Sequence, residues 1–110
     1  MRSLIFKRIS ALSLLILGAV ALGGTARARS GEALYNAKGC AACHGPNGKS
    51  PILPIYPKLA GQSAEYLESQ LIAFKTQERK GAQSAQMWPM AAQLSPDEMK
   101  KIATYLSMQK

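Results

Sequence analysis

The 110-residue chain has two cysteines and one histidine, and all three fall within five positions: Cys40, Cys43 and His44, in the run Gly-Cys-Ala-Ala-Cys-His-Gly. Three chemistries use thiols and imidazole at this spacing. A structural zinc ion takes four ligands, mostly Cys and His, and the chain offers only three such residues. A thioredoxin-like dithiol shares the C-x-x-C spacing but opens a helix after a strand in a βαβ unit, and no stretch here alternates as a strand does. A local disulfide would close too small a loop to constrain the unfolded chain much. C-x-x-C-H is also the attachment signature of c-type haem. There each thiol adds to one vinyl group as a thioether, and the two-residue spacer sets the separation of the sulfurs along one haem edge. The histidine after the second cysteine supplies a ring nitrogen as proximal iron ligand. One prosthetic group then accounts for the whole stock of both residue types.

With His44 committed, a six-coordinate iron needs a second ligand, and methionine is the usual one in electron-transfer cytochromes. Beyond the N-terminal segment the candidates are Met87, Met90, Met99 and Met108. Met99 belongs to an apolar helical stripe, where methionine is core packing, and Met108 sits at a chain end. Met87 and Met90 remain, both in a stretch read as one loop, "MWPMAAQLS".

Helices must position these groups. Ser30 and Gly31 start a short first helix, with Glu32 in its first turn, Leu34 and Tyr35 packing inward, and Gly39 as its stop. Four prolines and three glycines between Gly45 and Gln62 exclude long regular structure there. Ser63 caps a second helix with Leu67, Leu71 and Phe74 on one face, Lys75, Arg79 and Lys80 toward its C-terminal end, and Gly81 as its terminator. Arg79 reads as a solvated helix end. Ser95, Pro96 and Glu98 form a capping-box start for a last amphipathic helix whose apolar stripe is Met99, Ile102, Ala103 and Leu106.

The first 28 residues read differently. Arg2, Lys7 and Arg8 precede an apolar run from Ile9 to Leu22, and Ala26 and Ala28 make an A-x-A cleavage site. This is the pattern of a secretory signal peptide over 1–28; the run is shorter than the roughly 18 residues of a membrane span. The exported protein is expected in the periplasm, or membrane-anchored if the segment stays uncleaved. The net charge of +8 falls to +4 from Arg29 onward, where ten Lys and Arg face six carboxylates. A domain of about this size, 29–110, lies near the limit at which one hydrophobic core suffices, and a cofactor would help to fill it.

The segments "CAACHGPNG", "YPKLAGQ", "YLESQLIAFKTQER" and "MWPMAAQLSPDEMKKIATYL" together resemble a class I cytochrome c, in the bacterial branch of small monohaem cytochromes and the halves of dihaem ones. The resemblance covers nearly all of the chain after the signal segment. It implies an all-α fold of three to four helices wrapped around one covalently bound haem c per chain. In that family the ligand methionine stands seven residues before the leucine of the "L-S" that opens the last helix, which implies Met87 as ligand and Met90 as packing. It also implies that the Pro57 carbonyl accepts a hydrogen bond from the far nitrogen of His44, fixing the ring's tautomer and direction. Trp88 and Tyr56 are placed near the haem.

With both axial positions filled, by His44 and Met87, the iron changes oxidation state and binds no substrate. The expectation is an electron carrier, not an enzyme, passing single electrons between a redox donor and acceptor. An alternative is a haem-bearing subunit of a periplasmic dehydrogenase or oxidase complex; a ligand-sensing haem protein is disfavoured by the methionine at the sixth position. The basic chain is expected to meet partners through acidic docking patches, with membrane-surface association a further option. Nucleic acid is no partner for an exported chain of such modest charge.

Overall fold

Three serines open three helices. In the computed structural model, which describes residues 29–110, Ser30 caps α1 (Gly31–Ala37), Ser63 caps α3 (Ala64–Lys75) and Ser95 caps α5 (Pro96–Ser107). Each hydroxyl oxygen accepts a backbone N–H three residues on, at 3.1 Å, satisfying a donor the helix itself leaves unpaired. At α5 the box is reciprocal, because the Ser95 N–H donates to the Glu98 carboxylate at 2.9 Å. The signal peptide read over 1–28 and its cleavage after Ala28 lie outside the described residues.

The architecture is all-α, with five helices among the described residues. The two beyond the serine-capped three are α2 (Ala41–His44), the thiol-and-imidazole turn itself, and α4 (Ser84–Ala92). The stretch of Met87 and Met90, read as loop, is thus helical and runs through Pro89, whose ring leaves the Ala85 carbonyl without its i+4 donor. A 3-10 turn at Pro46–Gly48 follows α2, and no strand occurs among the described residues.

α3 stops at Lys75, six residues before Gly81. Gln77 takes the left-handed conformation at φ 63° in place of a glycine, and the Arg79 N–H then turns back to the Ala73 carbonyl at 3.1 Å. Arg79 is therefore no free helix end: its guanidinium lies 4.7 Å from the Phe74 ring centroid and donates to Gln70 at 2.7 Å.

The core gathers Leu34 and Tyr35 of α1, Leu67 of α3, Leu94, and Met99, Ile102, Ala103 and Leu106 of α5. Every expected stripe residue of α5 is buried. α5 packs on both α1 and α3, and α3 also packs on α4. The α1–α5 crossing is close enough to require glycine: a Cβ on Gly31 would stand 2.2 Å from the Lys101 carbonyl oxygen and 2.7 Å from Tyr105 Cβ.

This framework grips the intervening loops by hydrogen bonds. The buried Tyr35 hydroxyl donates to the Gly45 carbonyl at 2.7 Å, and the Tyr105 hydroxyl donates to Asn47. The Gly48 carbonyl accepts from both Leu59 and Ala60, and the Gly61 N–H donates to Leu106 at 3.0 Å.

Candidate functional site

Cys40 occupies the N-cap of α2, and Cys43 and His44 end the same short helix. A four-residue helix has no stability of its own. It is held between Tyr35, whose hydroxyl reaches Gly45 just beyond it, and the proline-rich loop, where the Ile52 N–H donates to the Cys43 carbonyl at 3.0 Å. Gly45 permits the exit at φ 81°, and a Cβ there would stand 2.0 Å from the Ser50 carbonyl oxygen.

His44 is buried, and its Nδ1 lies 2.9 Å from the Pro57 carbonyl oxygen. A carbonyl only accepts, so this contact puts the ring proton on Nδ1 and the lone pair on Nε2. The ring is thereby aimed, with one nitrogen tethered and the other able to bind a metal. The two cysteines are not joined to each other in a disulfide. Burial pushes the Cys40 thiol up to about 11, so it stays protonated at neutral pH. Burial also raises the Tyr35 phenol, with the neighbouring Cys40 adding to the effect, so its hydroxyl remains a donor to Gly45.

Met87 and Met90 lie half-buried on α4. Met90 reaches toward the haem-motif turn, its terminal methyl 3.3 Å from where a Cβ on Gly39 would stand. Met87 follows Gln86, whose side-chain oxygen accepts from the Tyr56 hydroxyl at 3.3 Å. The Tyr56 ring in turn is 6.4 Å from that of His44, centroid to centroid. Tyr56 thus spans from the imidazole to the start of α4. Trp88 is half-buried, and its indole N–H donates to the Arg79 carbonyl at 3.0 Å.

Sequence reasoning missed the tethers: Tyr35 to Gly45, Tyr105 to Asn47 and Tyr56 to Gln86. A buried tyrosine needs a partner for its hydroxyl, and that was the available signal at Tyr35. It could not say which carbonyl would answer.

The donor set fits a covalently held haem: two thiols one helical turn apart, an imidazole tethered at Nδ1, and two half-buried thioethers on α4, one of them reaching toward Gly39. It does not fit a structural zinc, and no group of three or more Cys, His, Asp or Glu is placed to hold a metal among the described residues.

The family model described as Cytochrome c matches residues 28–110. Cytochrome c-554(548) of Halomonas halodenitrificans is 50% identical over 70 residues, which is 64% of this chain and 83% of that protein. Among solved structures, a cytochrome c4 of Acidithiobacillus ferrooxidans superposes with a TM-score of 0.61 at 39% identity, over 64% of this chain and 42% of that one. A thiosulfate dehydrogenase of Marichromatium purpuratum gives a TM-score of 0.59 at 38% identity, over 64% of this chain and 15% of that one. The chain therefore spans most of the first relative and less than half of the two solved structures.

Proposed function

The chain belongs to the cytochrome c family, and from that premise we propose that it is a periplasmic monohaem carrier, with Cys40 and Cys43 as the thioether-forming residues and His44 and Met87 as the axial ligands. Membership makes it an electron-transfer haem protein with covalently bound haem c, not an enzyme, and cytochromes c exchange electrons with other proteins. When bound, the haem supplies an iron that cycles between Fe(II) and Fe(III).

The single observation that carries the site assignment is the 2.9 Å contact between His44 Nδ1 and the Pro57 carbonyl. It leaves Nε2 as the ligating nitrogen and strengthens it as a donor. Met87 is favoured over Met90 because Met90 already packs toward Gly39, while Met87 stands beside the Tyr56–Gln86 contact. A neutral thioether favours Fe(II), which raises the reduction potential, and burial away from water acts in the same direction. With His44 and Met87 both as ligands the iron would have no position open to substrate, and the residues around it would orient and insulate it.

Periplasmic location rests on the basic, apolar and A-x-A pattern of residues 1–28. No helix among the described residues is long and apolar enough to cross a membrane. The likeness to part of a thiosulfate dehydrogenase supports a second reading, a haem-bearing subunit of a larger redox complex. Copurification of a stable partner with the native protein separates the two.

The site assignment is tested by acid–acetone extraction of protein matured with a haem-attachment system. Haem stays on the wild-type polypeptide and is lost from the Cys40→Ser, Cys43→Ser double variant. Haem that extracts from the wild type refutes the covalent assignment.

A further inference from the structure

α4 has little of its own to hold it as a helix. It is nine residues long, its N-cap Gln83 makes no side-chain cap bond, its first turn has no carboxylate, and Pro89 interrupts its hydrogen-bond ladder. A ligand carried on so weak a helix would yield its place easily unless the helix were held from outside.

The hold comes from the end of α3. The Trp88 indole N–H donates to the Arg79 carbonyl at 3.0 Å, and Trp88 is the residue next to Met87. Arg79 is itself fixed to α3 by backbone and side chain: its N–H reaches the Ala73 carbonyl at 3.1 Å, its guanidinium donates to Gln70 at 2.7 Å, and the same group lies 4.7 Å from the Phe74 ring centroid. The connection leaves α3 through Gln77 at φ 63° and enters α4 through Gly81 and Ala82 at φ 94° and 45°, so left-handed residues at both ends turn it back. The Ser84 N–H then donates to the Gly81 carbonyl at 2.9 Å. Just past the other end of α4, the Lys75 ammonium donates to the Leu94 carbonyl, so α3 grips α4 at both ends.

We propose that Trp88 and Arg79 are positioning residues for the Met87 sulfur: the indole-to-carbonyl bond clasps α4 to α3 and sets how readily Met87 gives up the sixth position to a competing ligand. The proposal deepens the axial-ligand reading and rests on it. Met87 and Trp88 are consecutive on one helix, so a shift of α4 that draws Met87 from the iron also pulls the indole from Arg79. The cost of breaking that bond adds to the cost of displacing the methionine. Packing alone would need only a ring at position 88. The indole adds a donor, and its acceptor belongs to the residue of the connection that is tethered to Gln70, Ala73 and Phe74. Tyr56 also bonds α4, at Gln86, but its ring lies near His44, so it bears on both ligands at once.

The test is displacement of methionine by free imidazole in the ferric holoprotein, followed through the weak red-end absorption of the Met–iron bond. Wild type is compared with Trp88→Phe, Arg79→Ala, the double variant and Ser30→Ala. Trp88→Phe keeps a ring and removes the donor, and should bind imidazole about threefold tighter, as expected for one partly solvated hydrogen bond. Arg79→Ala should do the same, and the double variant should gain no more than either, because both changes undo one clasp. Ser30→Ala, which removes the α1 cap, should bind as wild type does. Imidazole affinity unmoved in Trp88→Phe overturns the proposal. So do effects that multiply in the double variant, or a gain in Ser30→Ala equal to that in Trp88→Phe, which would be general loosening. If Arg79→Ala does not fold, Trp88→Phe against Ser30→Ala decides alone. A band that survives in Met87→Ala defeats the ligand reading itself, whatever Trp88→Phe does; a band lost in Met87→Ala with Trp88→Phe unmoved defeats the clasp and leaves the ligand reading standing.

Discussion

The α1–α3–α5 framework and the segment from Lys38 to Gln62 are held in unlike ways. The framework buries leucines, an isoleucine, a methionine and a tyrosine against one another, each large apolar side chain contributing about 1.5–3 kcal/mol when fully buried. In the segment only His44, Gly45 and Gly48 are buried, and its shape rests on bonds to the carbonyls of Cys43, Gly45, Gly48 and Pro57. Apolar packing is non-directional and strong in sum; carbonyl tethers are directional and individually worth about 1 kcal/mol. The lesson is a division of labour, in which the helices supply stability and the tethers supply aim. The framework should then govern unfolding of the whole protein, and the segment and α4 should govern the iron's spectrum.

The hardest blow to that contrast is Gly31→Val. Its new side chain would have to push back the Lys101 backbone carbonyl, at the upper end of overpacking costs, about 3 kcal/mol or more. Denaturant unfolding of the holoprotein should show the loss, with the Met–iron band unchanged until global unfolding. A band lost before unfolding would mean that the two regions are not separable.

A paired test on α4 sharpens the comparison. Met87→Ala should remove the weak red-end absorption of Met-to-Fe(III) bonding, lower the potential and open the iron to carbon monoxide. Met90→Ala should keep the band and cost packing, about 2 kcal/mol for a half-buried side chain. Because both residues share one helix, general damage would affect both variants alike. The reverse pattern would make Met90 the ligand.

The mildest test is acid. The Glu98 carboxyl is held below the usual carboxylate range, chiefly by the Ser95 N–H it accepts from and further by Lys38. A depressed folded pKa means stability that is present above the unfolded value, about 4.3, and lost as pH falls through the folded one. Glu98→Gln should flatten this part of the stability–pH profile, and Ser95→Ala should cost about 1 kcal/mol at neutral pH. Neither should move the visible spectrum. A spectral change in either would tie the last helix directly to the iron.

The same contrast sorts what was legible in the sequence. Ser30, Ser63 and Ser95 marked their helices because capping is a local transaction between residues three apart. Cys40, Cys43 and His44 stood out because C-x-x-C-H is the spacing that covalent haem attachment uses. The early stop of α3 was not, because Gln77 adopts a conformation usually left to glycine, and what accompanies it, Arg79 folding back on Gln70 and Phe74, is tertiary. α4 was hidden by Pro89, which argues for a loop by propensity, while its packing on α3 favours a helix. The need for glycine at position 31 lies 70 residues away, at Lys101, beyond any local signal.

That last separation also bears on timing. The site turn closes through short-range contacts, five positions from Cys40 to His44 and thirteen residues on to Pro57, whereas the crossing that seals the framework waits for α5, the final helix. Any process that delivers this chain from its N-terminus presents both thiols and the imidazole before Lys101, Ile102 and Leu106 exist in the same compartment. During that interval Tyr35 has no α5 to pack against, and Cys40 is not yet half-buried against the core. The layout thus provides an interval in which the cysteines are chemically open, and the arrival of α5 ends it.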